Sequence, residues 1–442
     1  VNHYRLSFIF LALLLAVLAC NLPAGSPSKP LITQPTPLEP VANPTVTAEV
    51  EVLPPSPLPT ATLPPPATDI PLPSPTEAEP SPEVPEGNKI LPNGFITGAS
   101  DGSSITFYGL QGQPLGVVQT TGMSSGGLWY VHVAGGVLDD PSSVPLVYMT
   151  YENQGNIKQS LNGNVSILVA GPDVACLRGA LGKPVLAYTV VTWDTDTDAL
   201  ISHLFVGNLN EINTAPLVLE HTDPMMQAVL PLALRADDEK AQGVWYTLEP
   251  WGIGGDIVFP PNGGLFYLDL DTGGSTLHLT EDFNPAGISP DQSWVVYSWF
   301  ESEGEPTLTL YNLDTTVMVK LPLDSSSDRG AGYAVISPDN HYVAWMEGSG
   351  WQMAEQPNFV SRVRIANSSG EILADVHDTI FSGVTALGIS HWVKPVGWLD
   401  NENLIVEVRG EDWNQVSLVR VKYDGSDLAY LVSGVFAGFT YP

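Results

Sequence analysis

From Phe95 to Pro442 the chain runs as short apolar or alternating stretches separated by Gly, Asp, Asn and Pro, with no stretch carrying the 3.6-residue period of an amphipathic helix. Period-two alternation places successive side chains on opposite faces, so the pattern predicts strands and tight turns throughout. One stretch occurs twice. Ile288-Ser289-Pro290-Asp291-Gln292-Ser293-Trp294-Val295-Val296-Tyr297 returns as Ile336-Ser337-Pro338-Asp339-Asn340-His341-Tyr342-Val343-Ala344-Trp345. Each copy is a strand ending in Ile-Ser, a Pro-Asp turn and an alternating strand, the grammar of a hairpin that recurs at a fixed period. With the second strand as marker, Tyr148, Tyr188, Tyr246, Tyr297, Trp345 and Val406 align roughly forty to sixty residues apart, a blade-sized repeat. Third strands keep the register, as in Leu308-Thr309-Leu310-Tyr311-Asn312-Leu313-Asp314 and Val419-Arg420-Val421-Lys422-Tyr423-Asp424.

These repeats resemble the TolB-like, WD40-like β-propeller repeat, whose signature is a strand, Ser-Pro-Asp-Gly, and an apolar-aromatic strand. Gln292 and Asn340 stand where that family has Gly, so the turn is expected to be less bound to positive φ. The resemblance implies an all-β fold, a single β-propeller. Six markers give six blades, and residues 94–120 add three strands around Phe95, Ile105–Tyr108 and Leu115–Val118 without an inner partner. Val435–Tyr441 can supply that partner, closing the ring and leaving no exposed edge. Seven blades are therefore expected, with six or eight as the alternative counts.

The N-terminal part has a different composition. His3-Tyr4-Arg5 precedes an apolar run, Leu6 to Ala19, too short to span a bilayer comfortably, and Cys20 follows. Residues 1–19 read as an export signal, and Val17-Leu18-Ala19-Cys20 resembles the lipobox of bacterial lipoproteins, which implies lipidation of Cys20 and a membrane anchor outside the cell. The alternatives are an ordinary cleaved signal or an uncleaved anchor. Residues 20–91 are rich in Pro, Thr, Ser and Glu and contain no Trp, Tyr or Phe, so they cannot build a core. They read as an extended stalk, reaching up to ~200 Å where stiff. Residues 92–442 are the propeller.

Charge and cysteine narrow the chemistry. There are 48 acidic and 16 basic residues, a formal net charge of −32, which disfavours nucleic acid and anionic lipid as partners. With Cys20 lipidated, Cys176 has no disulfide partner and is expected to be buried as a small apolar group. Gly122-Met123-Ser124-Ser125-Gly126 matches G-x-S-x-G, but an alternating strand follows it rather than a helix, so it reads as a turn between blades. Asp194, Asp196 and Asp198 alternate as calcium ligands do, yet Ala199 and Phe205 stand where such a loop needs Gly and Glu. A solvated hairpin tip is the plainer reading. No cofactor is expected, with calcium as the weak alternative, and the scattered histidines show no metal-ligand spacing.

Tryptophan placement is the more informative signal. Loops joining second to third strands gather on one face of a propeller, and these carry or adjoin Trp193, Trp251, Trp299, Trp351, Phe359 and Trp413. Such rings either form recognition platforms or pack one blade against the next. The leading expectation is a membrane-anchored, monomeric binding module for a protein, peptide or glycan, without catalysis. The alternatives are a propeller hydrolase or lyase with its site in the central channel, and a structural spacer lipoprotein.

Overall fold

The computed structural model describes residues 90–100, 102–120, 128–133, 145–150, 156–162, 164–170, 174–237, 240–251, 263–300, 306–324, 329–349, 359–388 and 390–442. Among these residues, 28 strands form seven four-stranded antiparallel sheets, the blades of a propeller. Blade 1 holds β1 (Gly94–Gly98), β2 (Ser104–Gly109) and β3 (Pro114–Gln119). Blade 2 holds β4 (Leu128–Val133), β5 (Leu146–Thr150), β6 (Asn156–Leu161) and β7 (Asn164–Ala170). Blade 3 holds β8 (Val174–Gly179), β9 (Val185–Asp194), β10 (Ala199–Asn208) and β11 (Leu217–Asp223). Blade 4 holds β12 (Gln227–Ala236), β13 (Ala241–Pro250), β14 (Leu265–Asp269) and β15 (Ser275–Leu279). Blade 5 holds β16 (Asn284–Ile288), β17 (Trp294–Phe300), β18 (Pro306–Asn312) and β19 (Met318–Leu321). Blade 6 holds β20 (Arg329–Ile336), β21 (Tyr342–Ser349), β22 (Val360–Asn367) and β23 (Ile372–His377), and the short helix α1 (Asp378–Ser382) follows. Blade 7 holds β24 (Ser390–Trp398), β25 (Asn403–Gly410), β26 (Val416–Lys422) and β27 (Ala429–Ser433). Last comes β28 (Val435–Thr440), which pairs with β1 and completes blade 1 in the order β28-β1-β2-β3. The seven-blade count and the closure by the C-terminal strand agree with the sequence pattern.

All six marker residues fall on second strands, and the contacts show why they recur. Tyr148 packs with blade 1 residues Ile96 and Phe107, Tyr188 with Val147 and Ile157 of blade 2, and Tyr246 with Ala187 and Leu204 of blade 3. Tyr297 packs with Trp245 of blade 4, Trp345 with Val296 and Leu308 of blade 5, and Val406 with Val363 and Ile365 of blade 6. Each marker thus reaches back onto the preceding blade. Every seam between blades holds such a cluster, including the one joining Phe95 of blade 1 to Ile405 and Leu418 of blade 7. Sheets stacked on both faces need apolar residues at consecutive positions, which is why β25 reads Leu404-Ile405-Val406 and is buried at all three. Outer strands have no neighbour beyond them, and β15 accordingly exposes Ser275, Thr276, Leu277 and His278. Cys176 is a buried free thiol whose pKa burial raises.

The Ser-Pro-Asp turns overturn one expectation. Gln292 and Asn340 do adopt positive φ, at 61° and 62°, although neither is Gly. The turn's own bonds impose the conformation. Ser289 Oγ accepts from Trp294 N at 2.9 Å and donates to Asp291 Oδ1 at 2.6 Å, and Ser337 repeats this with Tyr342 N at 2.9 Å and Asp339 Oδ1 at 2.7 Å. The side chains at the positive-φ positions then bind the blade before them. Gln292 Nε2 donates to Leu234 O of blade 4 at 2.7 Å, and Asn340 Nδ2 donates to Asp291 Oδ2 of blade 5 at 2.6 Å. Glycine would relieve backbone strain but remove the pin.

Burial works against charge on Asp291, yet the bonds from Ser289, Ser293 and Asn340 outweigh it and hold its carboxyl below the ordinary value. Asn340→Gly is therefore expected to destabilise the domain by about 1 kcal/mol in urea unfolding at neutral pH, the loss of a charge-assisted bond exceeding the strain relieved. Because the folded pKa is depressed, the contribution is present above the ordinary carboxylate pKa of about 3.9 and disappears as pH falls through the folded value. The variant should accordingly approach the parent's stability in acid. A variant more stable than the parent at pH 7 would contradict the pin.

Candidate functional site

Up-and-down strands divide the loops between two faces. Second-to-third loops and blade-to-blade connections leave from the upper face, whereas first-to-second and third-to-fourth turns leave from the lower one. At the lower end of the inner strands, Ile288, Ile336, Trp398 and Phe439 line a recess of about 120 Å³ together with Ile90, Pro92, Pro290 and Pro338. Among the described residues that line it, Tyr441 is the one ionisable side chain, and most of the others are apolar.

The upper face receives the tryptophan loops, and they fare differently. Trp193, next to last in β9, is 44% exposed. Val191 shares its side of the strand and packs with Leu200 and Ala228, against which the partly buried Trp251 also lies. Phe359 was expected as a platform and is instead core: it is 1% exposed and stacks on Trp392 with centroids 5.7 Å apart. Trp413 lies against the same Trp392 at 5.7 Å, partly buried, with the Arg409 guanidinium 5.9 Å from its ring. In this pair the tryptophan-loop pattern serves the seam between blades 6 and 7. Trp299 belongs to β17, opposite Thr307, but its side chain lies outside the described residues, as do Trp351, Cys20 and the Gly122–Gly126 motif.

The acidic hairpin tip is built by its own bonds. Asp194 Oδ1 accepts from Asp196 N at 2.9 Å and Oδ2 accepts from Thr197 Oγ1 at 2.6 Å, which holds the Asp194 carboxyl below the ordinary range. Asp198 takes positive φ at 56°, closing the turn, while Asp196 and Asp198 are exposed. Among the described residues, no group of three His, Cys, Asp or Glu is placed to hold a metal ion. Two residues before Trp251, burial pushes the Glu249 carboxyl up, with the Arg178 guanidinium acting in the opposite direction.

Sequence reasoning missed two residues that complete this surface. Met225 and Met226, in the connection from blade 3 to blade 4, are 78% and 42% exposed. Met226 O accepts from Trp251 N at 2.8 Å, and Asp223 Oδ1 accepts the Met225 N–H, so the connection is fixed to both blades. Two consecutive methionines in a turn after Thr222-Asp223-Pro224 were the available signal.

A further cluster lies at the upper end of the seam between blades 5 and 6. Glu347, fully buried, accepts from Arg362 Nη2 at 2.9 Å, Arg364 Nη1 at 3.2 Å and Asp324 N at 2.9 Å. Arg362 also pairs with Asp324 at 2.9 Å and Asp375 at 3.1 Å. Burial disfavours the Arg362 charge, but these carboxylates more than compensate and raise its pKa. The guanidiniums are consumed by protein carboxylates, which makes the cluster a structural clamp.

No protein-family model matches the sequence, and a search of curated proteins gives no match either. Solved structures do resemble it. TolB from Acinetobacter baumannii is 14% identical over 79% of this chain and 81% of that chain, with a TM-score of 0.37. An oligogalacturonate lyase in complex with manganese is 13% identical over 78% and 85%, at 0.40, and a puromycin hydrolase mutant is 9% identical over 77% and 52%, at 0.46. At these identities the likeness concerns the propeller fold alone.

Proposed function

We propose that this chain is a lipid-anchored, extracytoplasmic propeller that binds a protein, peptide or glycan on its upper face. The observation that carries the reading is the exposed Trp193 ring at the rim of that face, beside exposed methionines and carboxylates. An exposed aromatic gives large contact area at low entropic cost, the usual anchor of a recognition surface. The anchor is supported by Val17-Leu18-Ala19-Cys20 and by the core-less stretch 20–91, which would hold the domain away from a membrane. Cys20→Ser is expected to release the protein from the membrane fraction and to remove the lipid mass. A variant still membrane-bound at unchanged mass would contradict the anchor.

The two tryptophans of the blade 3–4 seam should separate binding from folding. Trp193→Ala is expected to leave the melting temperature nearly unchanged while weakening partner binding at least about tenfold. Trp251→Ala, which removes a ring packed on Val191 and Leu200, should lower stability by about 2–3 kcal/mol as well. Partner capture on glycan and peptide arrays before and after Trp193→Ala reads the first effect, and thermal unfolding reads the second. Equal capture by the Trp193 variant would place recognition elsewhere.

A further inference from the structure

Trp193, Leu200 and Asp223 stand side by side across β9, β10 and β11, each directly opposite the next in the strand register. Beyond Asp223 the chain turns through Met225 and Met226 into blade 4, where Trp251 N–H meets Met226 O. One continuous patch therefore crosses the seam between blades 3 and 4, made of an exposed indole, two exposed thioethers and the edge of a second indole. The tip beside it carries Asp196 and Asp198, both exposed, while Asp194 is engaged in its own turn.

We propose that this seam binds a basic, apolar peptide segment of a partner protein, with apolar side chains over Trp193, Met225 and Met226 and cationic heads at Asp196 and Asp198. The proposal rests on the upper-face reading above and narrows it to one occupant. Charge selects the cation. The patch is rimmed by carboxylates on a chain of net charge −32, a field that attracts and orients basic segments and repels acidic ones. Trp193 adds an electron-rich face for Lys or Arg. The methionines select the peptide, because flexible thioethers mould to varied apolar side chains while offering a sugar no strong hydrogen bonds.

The test uses a fluorescent twelve-residue peptide in which lysine alternates with leucine and alanine, titrated against the propeller domain within the full chain. Two analogues replace its lysines by glutamate or its leucines by glycine. The intact protein is expected to bind the parent peptide and to lose at least about tenfold in affinity on Trp193→Ala with Met225→Ala. Asp196→Asn with Asp198→Asn should cost about threefold or more and flatten the salt dependence. Asp269→Asn with Asp424→Asn, in lower-face turns, should stay within about twofold. If the Trp193 and Met225 double variant binds as tightly as the parent, or if the glycine analogue matches the leucine peptide, the attraction is diffuse charge and the proposal fails. Should a neutral glycan or an acidic peptide bind instead and be lost on Trp193→Ala, the upper-face reading stands while the basic-peptide assignment falls. Binding that is insensitive to Trp193→Ala would defeat both.

Discussion

Removing Val435–Pro442 is expected to open the ring and destabilise the domain by several kcal/mol, enough to lower its melting temperature by more than about 10 °C or to drive it into aggregates. The deletion takes away the strand that pairs with β1 from Gly94 to Gly98, and leaves that edge unpaired. Phe436 and Phe439, with ring centroids 4.9 Å apart, pack against Phe95, Ile405 and Leu418, so the seam between blades 1 and 7 loses its inner wall. Each large apolar side chain returned to water costs about 1.5–3 kcal/mol. A polar latch goes with it. Phe436 N donates at 3.0 Å to Glu407 Oε2, whose other oxygen is held by Arg409 at 2.8 Å, and Thr440 Oγ1 bonds Asn93 Oδ1 at 2.8 Å. Deletion leaves the buried Glu407 carboxylate half-satisfied. Thermal unfolding measures the loss, and adding a synthetic Val435–Pro442 peptide should restore part of it by strand addition. A truncated domain that melts like the intact one would show that β28 does not close the ring.

Glu347→Ala should cost about 3–5 kcal/mol, the largest effect expected of any single substitution here, because it takes the one buried carboxylate from two poorly exposed guanidiniums rather than because the ion pair is strong. Glu347 is opposite Arg362 in the strand register, and the Arg362 side chain is 8% exposed. Without Glu347, Arg362 keeps Asp324 and Asp375, which are 38% and 33% exposed and so act through screened interactions. Arg364 loses the carboxylate at 3.2 Å and retains Asp375 at 3.5 Å and Pro322 O at 2.8 Å. The control is to replace the whole set. Glu347→Met with Arg362→Met and Arg364→Leu removes every buried charge and should recover most of the loss. Asp375→Ala, at the rim, should cost under about 1 kcal/mol. Urea unfolding midpoints order the three; a Glu347→Ala cost no greater than that of Asp375→Ala would mean that the cluster is solvated.

The hairpin repeat was legible because its causes are local: alternation, the Ser-Pro-Asp turn and an apolar second strand are all written within about a dozen residues. Closure was legible from a count, since three strands at one end and one at the other had to meet. What the sequence hid depends on a neighbouring blade. The side chains that stand in place of Gly at Gln292 and Asn340 are used by bonds to Leu234 and Asp291, 58 and 49 residues away. A tryptophan at or just past the end of a strand reads the same whether it faces solvent or a packed ring, so Trp193 and Trp413 look alike in the sequence although Trp413 lies against Trp392. Phe359 failed as a platform for the same reason. Met225 and Met226 went unseen because they lie in a blade-to-blade connection, and only the ring geometry brings that connection to the tryptophan face. Arg362 and Arg364 did leave a trace, two charges at alternate positions of a strand whose remaining residues are uncharged.

The upper-face account is tested most directly by comparing two exposed aromatics of equal accessibility. Trp193 is 44% exposed on the upper face, and Tyr430 is 46% exposed on the outer strand β27. Partner affinity measured by calorimetry for the parent, Trp193→Ala and Tyr430→Ala should fall at least about tenfold for the first variant and change less than about twofold for the second. Equal losses in both variants, or a loss only at Tyr430, would contradict recognition by the upper face.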